Sequence, residues 1–424
     1  MPKPDYLLLF GAEMSLRERA LVAALRVFPG PVAVITPSRN GPASRYFDIV
    51  LDGVPSDPAS ALAAVTGYAE RTGRTPLGVV PFADPYLTAG WTVADHFGLP
   101  YLSRDAVQDS SINKGRMKDR FVQAGVPTPR HIELADDAGV AVALAAADEL
   151  GYPCVVKPAA FGGSLGVTQA GNPAELRQRF DYVRAIIDRN AATFTVPSRG
   201  ILIEELCRLD REVSVEVLNS GDRRWVLAVT DKSLGPAPYF AEMGHLIPSR
   251  QTGRADLGEV AMAACAAIGL DRGMAHVEVR YSDDQLPPQV IEIGARTAGG
   301  AIPDLMEAAL GISAYELHVR SYLGSLGEPP ATKPAGVAGF AVIKAPPGRI
   351  RAIRKPTRLD PAITNYELHA EVGTISELPQ SYLQREGYLQ LYWPAAQPVE
   401  VAEDAHLAIA ADLAGQLFEV EPAD

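Results

Sequence analysis

Two short apolar runs that each carry a glutamate, His276–Tyr281 and Val290–Gly294, constrain this chain more than any other feature. Val290, Ile291 and Ile293 surround Glu292, and the polar, proline-ended segment from Ser282 to Pro288 has turn composition. Two such runs joined by a turn predict a hairpin. Side chains alternate faces along a strand, so Glu292, Gly294 and Arg296 share one side, and pairing brings Glu278 beside Glu292. Adjacent carboxylates repel each other unless a cation lies between them. Hard oxygen donors of this kind suit Mg²⁺, above all when phosphate oxygens complete its shell. Taken alone, the pattern also fits a surface hairpin with solvated charges.

A chain of 424 residues exceeds one comfortable core, and about two to four domains are expected. A composition shift at about Pro334 sets off a last domain, 334–424. The formal net charge of −12 argues against partners such as nucleic acid or an anionic membrane surface. Cys154, Cys207 and Cys265 are too few and too scattered for a disulfide framework or a zinc site. The apolar run Tyr6–Phe10 is too short for a signal peptide and no stretch approaches a membrane span, so a cytoplasmic protein is expected.

The first hundred residues alternate strand and helix signals: strands at Tyr6–Phe10, Val32–Thr36 and Leu77–Pro81, helices at Leu16–Phe28, Ala59–Arg71 and Thr88–Phe97. That rhythm predicts a Rossmann-like parallel sheet covered by helices. Without a full G-x-G-x-x-G, no dinucleotide is assigned to it. Further on, helices are expected over Asn113–Ala124, Gly139–Leu150, Pro173–Asn190, Leu257–Ile268 and Ala301–Leu310. Strands are expected at Cys154–Pro158, Val167–Ala170, Ile201–Glu205, Glu212–Leu218 and Trp225–Thr230. From about Pro334 short strands and turns mark a mixed α+β C-terminal region.

The loop after Lys157 contains Gly162, Gly163, Ser164 and Gly166. Glycine-rich turns let backbone N–H groups approach phosphates because no Cβ intervenes, and a lysine just upstream adds an ammonium. No Gly-Lys-Ser/Thr closes the loop, so it is not a Walker A motif. Gly162–Gly166 formally matches the G-x-S-x-G nucleophile elbow, but strand rather than helix follows Ser164, which argues against a serine hydrolase. Ile201–Leu206 is an apolar strand ending in Glu204 and Glu205, of a kind whose backbone edge reads adenine. Glu212, on the next strand, could accept from ribose hydroxyls, and solvated charges at strand ends fit these acids equally well.

Lys114, Lys157 with its glycine loop, Glu204-Glu205, Glu212, Glu278 and Glu292-x-Gly294-x-Arg296, in that order, resemble the ATP-grasp superfamily over roughly residues 105–325. The resemblance implies the ATP-grasp fold, α/β and α+β in several domains (a preceding domain at 1–105, a small subdomain at 106–208, a large one at 209–333 and a C-terminal domain at 334–424), with ATP held between two β-sheets. Lys114 and Lys157 would sit on its phosphates, with Gly162, Gly163, Ser164, Glu204, Glu205, Leu206 and Glu212 around the nucleotide. Glu278 and Glu292 would hold Mg²⁺, as two ions, with Mn²⁺ as an alternative. Most of the superfamily has Glu-x-Asn where this chain has Glu292-x-Gly294. Glu-x-Gly-Ala-Arg is similar instead to the L-amino acid ligases, as are Asp231-Lys232, the segment Glu242–Ser249 and Lys344–Ile350. By that resemblance Lys232 and Arg296 are catalytic, and Glu242 and His245 face the amino end of the first substrate. Arg296 meets its carboxylate or the acyl phosphate, and Gly300 leaves a roomier pocket. Dimers are common in the superfamily, which leaves a homodimer open.

The implied reaction is ATP-dependent joining of a carboxylic acid or amino acid to an amine through an acyl phosphate. A biotin carboxylase-like enzyme using bicarbonate or another small acid, and a non-catalytic ATP-binding protein, are the other readings of these residues.

Overall fold

The computed structural model describes residues 5–14, 17–37, 45–194, 198–284, 286–329 and 331–421. Leu16, where the first helix was expected to begin, and Gln285 of the expected turn lie outside them.

The N-terminal region is the parallel sheet that its alternation predicts. Strands β1 (Tyr6–Phe10), β2 (Val32–Thr36), β3 (Ile49–Asp52) and β4 (Pro76–Pro81) lie in the order β3-β2-β1-β4, all parallel. All of β1 is buried, as expected of a strand inside a helix-covered parallel sheet. Helices Glu18–Val27, Pro58–Thr72 and Leu87–His96 connect or follow the strands. The second has clear end signals: Asp57 accepts from Ser60 N–H at 2.7 Å, Pro58 takes the first helical position, and Gly73 ends it left-handed. Four-residue β3 is absent from the sequence expectation because its run is too short to show a period.

A second, antiparallel sheet is built from β5 (His131–Leu134), β6 (Cys154–Pro158), β7 (Thr168–Ala170) and β8 (Ile201–Glu205), in the order β5-β8-β6-β7. Helix Lys114–Ala124 leads into it, capped by Asn113 and stopped by left-handed Gly125. Lys114 and Lys118, four residues apart, share its buried face.

The remaining strands are β9 (Arg211–Ser220), β10 (Arg223–Leu234), β11 (Glu242–Ile247), β12 (Arg272–Tyr281), β13 (Gln289–Gly294), β14 (Gly336–Ile343), β15 (Gly348–Ile353), β16 (Ile363–Leu368), β17 (Ile375–Ser376), β18 (Gly387–Pro394) and β19 (Phe418–Glu421). Eight of them form one antiparallel sheet, β13-β12-β9-β10-β11-β14-β18-β16. The boundary expected near 333/334 therefore falls inside a sheet, since residues beyond it supply β14, β16 and β18. Strands β17-β15-β19 form a small sheet of their own, and helix Val399–Leu417 packs on β14. No helix among the described residues is long and apolar enough to cross a membrane.

Candidate ligand-binding and catalytic site

A cavity of about 630 Å³ opens between the small antiparallel sheet and the large one. Its walls include Lys157, the loop Gly162–Leu165, the end of β8, Glu212, Glu278, Glu292 and Arg296. Ala83–Pro85 and Arg17 reach it from the N-terminal sheet, and Tyr382 and Arg385 from the segment before β18.

The expected hairpin forms, and Glu278 pairs directly with Glu292 across β12 and β13. Each carboxylate has an ammonium partner: Lys114 Nζ lies 3.2 Å from Glu292, and Lys232 Nζ 2.6 Å from Glu278. Burial raises the Glu292 carboxyl against the pull of Lys114. At Glu278 burial pushes the same way, but Lys232 and His276 outweigh it and hold that carboxyl well below the usual range. Among the described residues no group of three or more His, Cys, Asp or Glu side chains is disposed to hold a metal. Two hard carboxylates opposite each other on a cavity wall fit a divalent ion whose other ligands are phosphate oxygens and water.

Lys157 and Glu204 pair at 2.7 Å, and Lys118, fully buried, approaches the same carboxylate at 3.3 Å. Burial pushes Lys118 down to about 8 despite that partner. The two lysines hold Glu204 ionised against its own desolvation. Its carboxylate is thus engaged, leaving Glu205, which pairs with Arg130 at 3.0 Å, and Leu206 at the open end of β8. Glu212 lies 3.5 Å from Arg280 and 3.6 Å from Lys232, and burial lifts it to about 7.

In the glycine loop, Gly163 (φ +65°) lies under Tyr382, whose ring atoms a Cβ would meet at 2.5 Å. Ser164 is also left-handed (φ 58°), and its hydroxyl donates to the Phe240 carbonyl at 2.8 Å. The serine ties the loop to the chain before β11, and strand β7 follows it, so the arrangement is not a nucleophile elbow.

Lys232 sits at the hub of Glu212, Glu242 and Glu278 and does not line the cavity itself. These acids raise its pKa well above the ordinary value although burial opposes them. A permanently charged ammonium here holds three carboxylates in place. His245 is likewise buried behind the wall, 3.7 Å from Glu242 and stacked on Phe340. Burial pushes it down to about 3, so it is neutral at pH 7. At Gly300 (φ +58°) a Cβ would stand 2.5 Å from His245 Nε2. Glycine is required there by both backbone and neighbour.

Residues 150–304 match the ATP-grasp domain family. The chain carries an ATP-grasp domain. An L-amino acid ligase from Bacillus licheniformis has a similar fold, with a TM-score of 0.78, 20% identity and full coverage of both chains. In sequence, the chain is 26% identical to the alanine–anticapsin ligase of Bacillus subtilis over 46% of this chain and 44% of that one. It is 30% identical to D-alanine–D-alanine ligase B of Xanthomonas campestris pv. campestris over 43% and 55%. The chain thus spans about half the length of these two curated relatives.

The ATP-grasp domain contains Lys157, the glycine loop, the acids and Arg296, but several cavity residues lie outside the matched range. Asp84 takes the Arg296 guanidinium at 2.6 and 2.7 Å and accepts from Ser111 at 3.0 Å. Burial alone would raise its carboxyl, but Arg296 holds it below the usual range. Arg17, Asp84, Tyr382 and Arg385 carry no motif, and only the tertiary fold reveals them. Lys118, Arg280 and His276 were legible in principle, by four-residue helical spacing from Lys114 and two-residue strand spacing from Glu278. His276 is held by Glu216 at 2.8 Å, which outweighs burial and raises it to about 9.

Proposed function

We propose that this chain is an ATP-dependent carboxylate–amine ligase that joins amino acids. The observation that carries the reading is the direct pairing of Glu278 with Glu292 on a cavity that also presents Lys114, Lys157, Arg296 and a glycine-rich loop. Phosphoryl transfer asks a protein mainly for positioning and for neutralisation of charge. Lys114 and Lys157 would meet phosphate oxygens, together with backbone N–H groups of Gly162–Ser164, which line the same cavity. Glu278 and Glu292 would hold Mg²⁺, which supplies charge neutralisation on the transferred phosphate when bound. Leu206 and the end of β8 form the wall suited to the purine.

In the reaction, a substrate carboxylate oxygen attacks the γ-phosphorus, the bond to the β-phosphate oxygen breaks, and ADP leaves. The amine then attacks the acyl carbon, the bond to phosphate breaks, and the nitrogen loses a proton. Arg296, fixed by Asp84, points its charge toward the activated carboxylate. Glu242 supplies negative charge for the ammonium of an amino-acid substrate. The alanine-adding and D-alanine-joining activities in the relatives' names support this substrate class.

A phosphate-release screen over a matrix of L-amino acids, with products identified by mass spectrometry, tests the proposal. Turnover that needs two amino acids and yields a dipeptide with ADP is expected. Phosphate release driven by bicarbonate alone, or ATP binding with no turnover, contradicts it.

A further inference from the structure

Most cations on the cavity wall already face an acid. Lys114, Lys157, Arg280 and Arg296 lie within ion-pair distance of Glu292, Glu204, Glu212 and Asp84 respectively. Arg17 donates to the Thr297 hydroxyl at 3.3 Å. Arg385 is different. Among the described residues no acid forms an ion pair with it, and its buried Nε has no hydrogen-bond partner. The guanidinium lies over the Phe340 ring, 5.8 Å from its centroid. A partly buried guanidinium of this kind is incomplete without an acceptor, because desolvating a charge is costly unless it is paired.

Its location narrows what that acceptor is. Arg385 directly precedes Glu386 and β18, and β18 stands five strand positions from β12 in the large sheet, through β9, β10, β11 and β14. Phe340, beneath it, stacks on His245 with centroids 5.5 Å apart, and His245 backs Glu242. Arg385 therefore belongs to the Glu242 corner, and in strand order β11, which carries Glu242, lies between it and the Glu278–Glu292 pair. The carboxylate that is activated has to lie near the latter group. A carboxylate at Arg385 is one that the reaction leaves intact.

We propose that Arg385 binds the α-carboxylate of an amino acid that serves as the amine partner. Lys232 bridges Glu242 to Glu278. An amino acid with its carboxylate on Arg385 thus directs its nitrogen along the acidic wall toward the reacting centre. Guanidinium and carboxylate match in planar, two-pronged geometry, which sets the carboxylate apart from a neutral amide. The donor is supplied across the sheet by the segment before β18, so Tyr382 and Arg385, which line the cavity, become part of substrate selection. The inference rests on the ligase reading and specifies one of its two substrates.

The test compares each productive amine partner with its carboxamide counterpart, in the full-length protein and in Arg385→Met and Arg385→Lys. In the wild type the amino acid is expected to have a KM about tenfold or more below that of its amide. Arg385→Met should raise the amino-acid KM by about the same factor and leave the amide and ATP values within about twofold. Arg385→Lys should restore part of the preference, and thermal unfolding identifies a variant that has simply lost its fold. A rise in the KM for ATP overturns the assignment in favour of a phosphate contact. So does an unchanged preference, or a preference lost only for aspartate or glutamate as acid partner. If no amino acid or amine supports turnover in the wild type, the ligase reading itself fails, and the two failures are distinct.

Discussion

Arg296, two residues past the end of β13, clasps Asp84, three residues past the end of β4, through two nitrogens, at 2.7 and 2.6 Å. This pair ties the parallel N-terminal sheet to the acidic hairpin of the large sheet. Both partners are mostly buried, so removing one leaves an uncompensated charge. Asp84→Ala is expected to cost about 3 kcal/mol in chemical denaturation. Asp84→Asn keeps the shape and should lower kcat about tenfold or more by releasing the Arg296 orientation, with little change in the KM for ATP. An unchanged kcat in Asp84→Asn contradicts the positioning role.

Gly294 occupies the position where an asparagine is usual in the superfamily that the motifs resemble. A Cβ there would stand 3.0 Å from Arg296 Cζ, so the guanidinium lies over the glycine and uses the space an asparagine would fill. Gly294→Asn should therefore push Arg296 off Asp84 and reduce turnover, rather than add a useful metal contact. Higher activity in the variant, or tighter Mn²⁺ binding with turnover retained, counts against this account.

How much of this was readable beforehand depends on how local each feature is. The strands flanking Glu278 and Glu292, the glycine loop and the helix from Lys114 to Gly125 have their signals within ten or so residues, and the structure has them where expected. Strands β3 and β5 are four residues each, too short for a period to emerge. Segment Glu242–Ile247 was read as a substrate-side stretch without being recognised as strand β11. The continuation of the large sheet into β14, β18 and β16, and the arrival of Asp84 and Arg385 at the cavity, depend on pairings between distant parts of the chain, such as Gly244 with Ala341 and Asp84 with Arg296, which leave no local trace.

His318 offers a clean pH test because its tautomer follows from its partners. Its Nδ1 accepts from the Met274 backbone N–H at 2.9 Å, so its Nε2 carries the proton and donates to the Pro81 carbonyl at 2.7 Å. Burial pushes the ring down to about 4 from an ordinary 6.5. Below pH 6.5 the unfolded chain takes up a proton that the folded chain refuses, so this contribution is complete above 6.5 and declines toward pH 4. The slope is about 1.4 kcal/mol per pH unit. Between pH 7 and pH 5 the stability difference between wild type and His318→Asn should narrow by about 2 kcal/mol. A constant difference in urea denaturation at the two pH values rules this out.

Two substitutions in the cavity should behave in opposite ways. Glu292→Gln removes charge from the proposed metal site without removing packing, and turnover should fall about a thousandfold with the thermal transition nearly unchanged. Ser164→Ala removes one loop tether, its bond to the Phe240 carbonyl, and should cost less than about tenfold in turnover. Near-normal turnover in Glu292→Gln would falsify the metal assignment. Complete loss in Ser164→Ala, or labelling of Ser164 by a fluorophosphonate, would restore the hydrolase reading.

The most direct test of the ligase chemistry follows oxygen. With the acid substrate labelled by ¹⁸O in its carboxylate, attack on the γ-phosphorus carries one labelled oxygen into the phosphate that the amine later displaces. Mass spectrometry of the products should find ADP and inorganic phosphate containing one ¹⁸O, formed together with the amide. Label in AMP with pyrophosphate as co-product, or phosphate free of label, would contradict the acyl-phosphate route and with it the central account of this cavity.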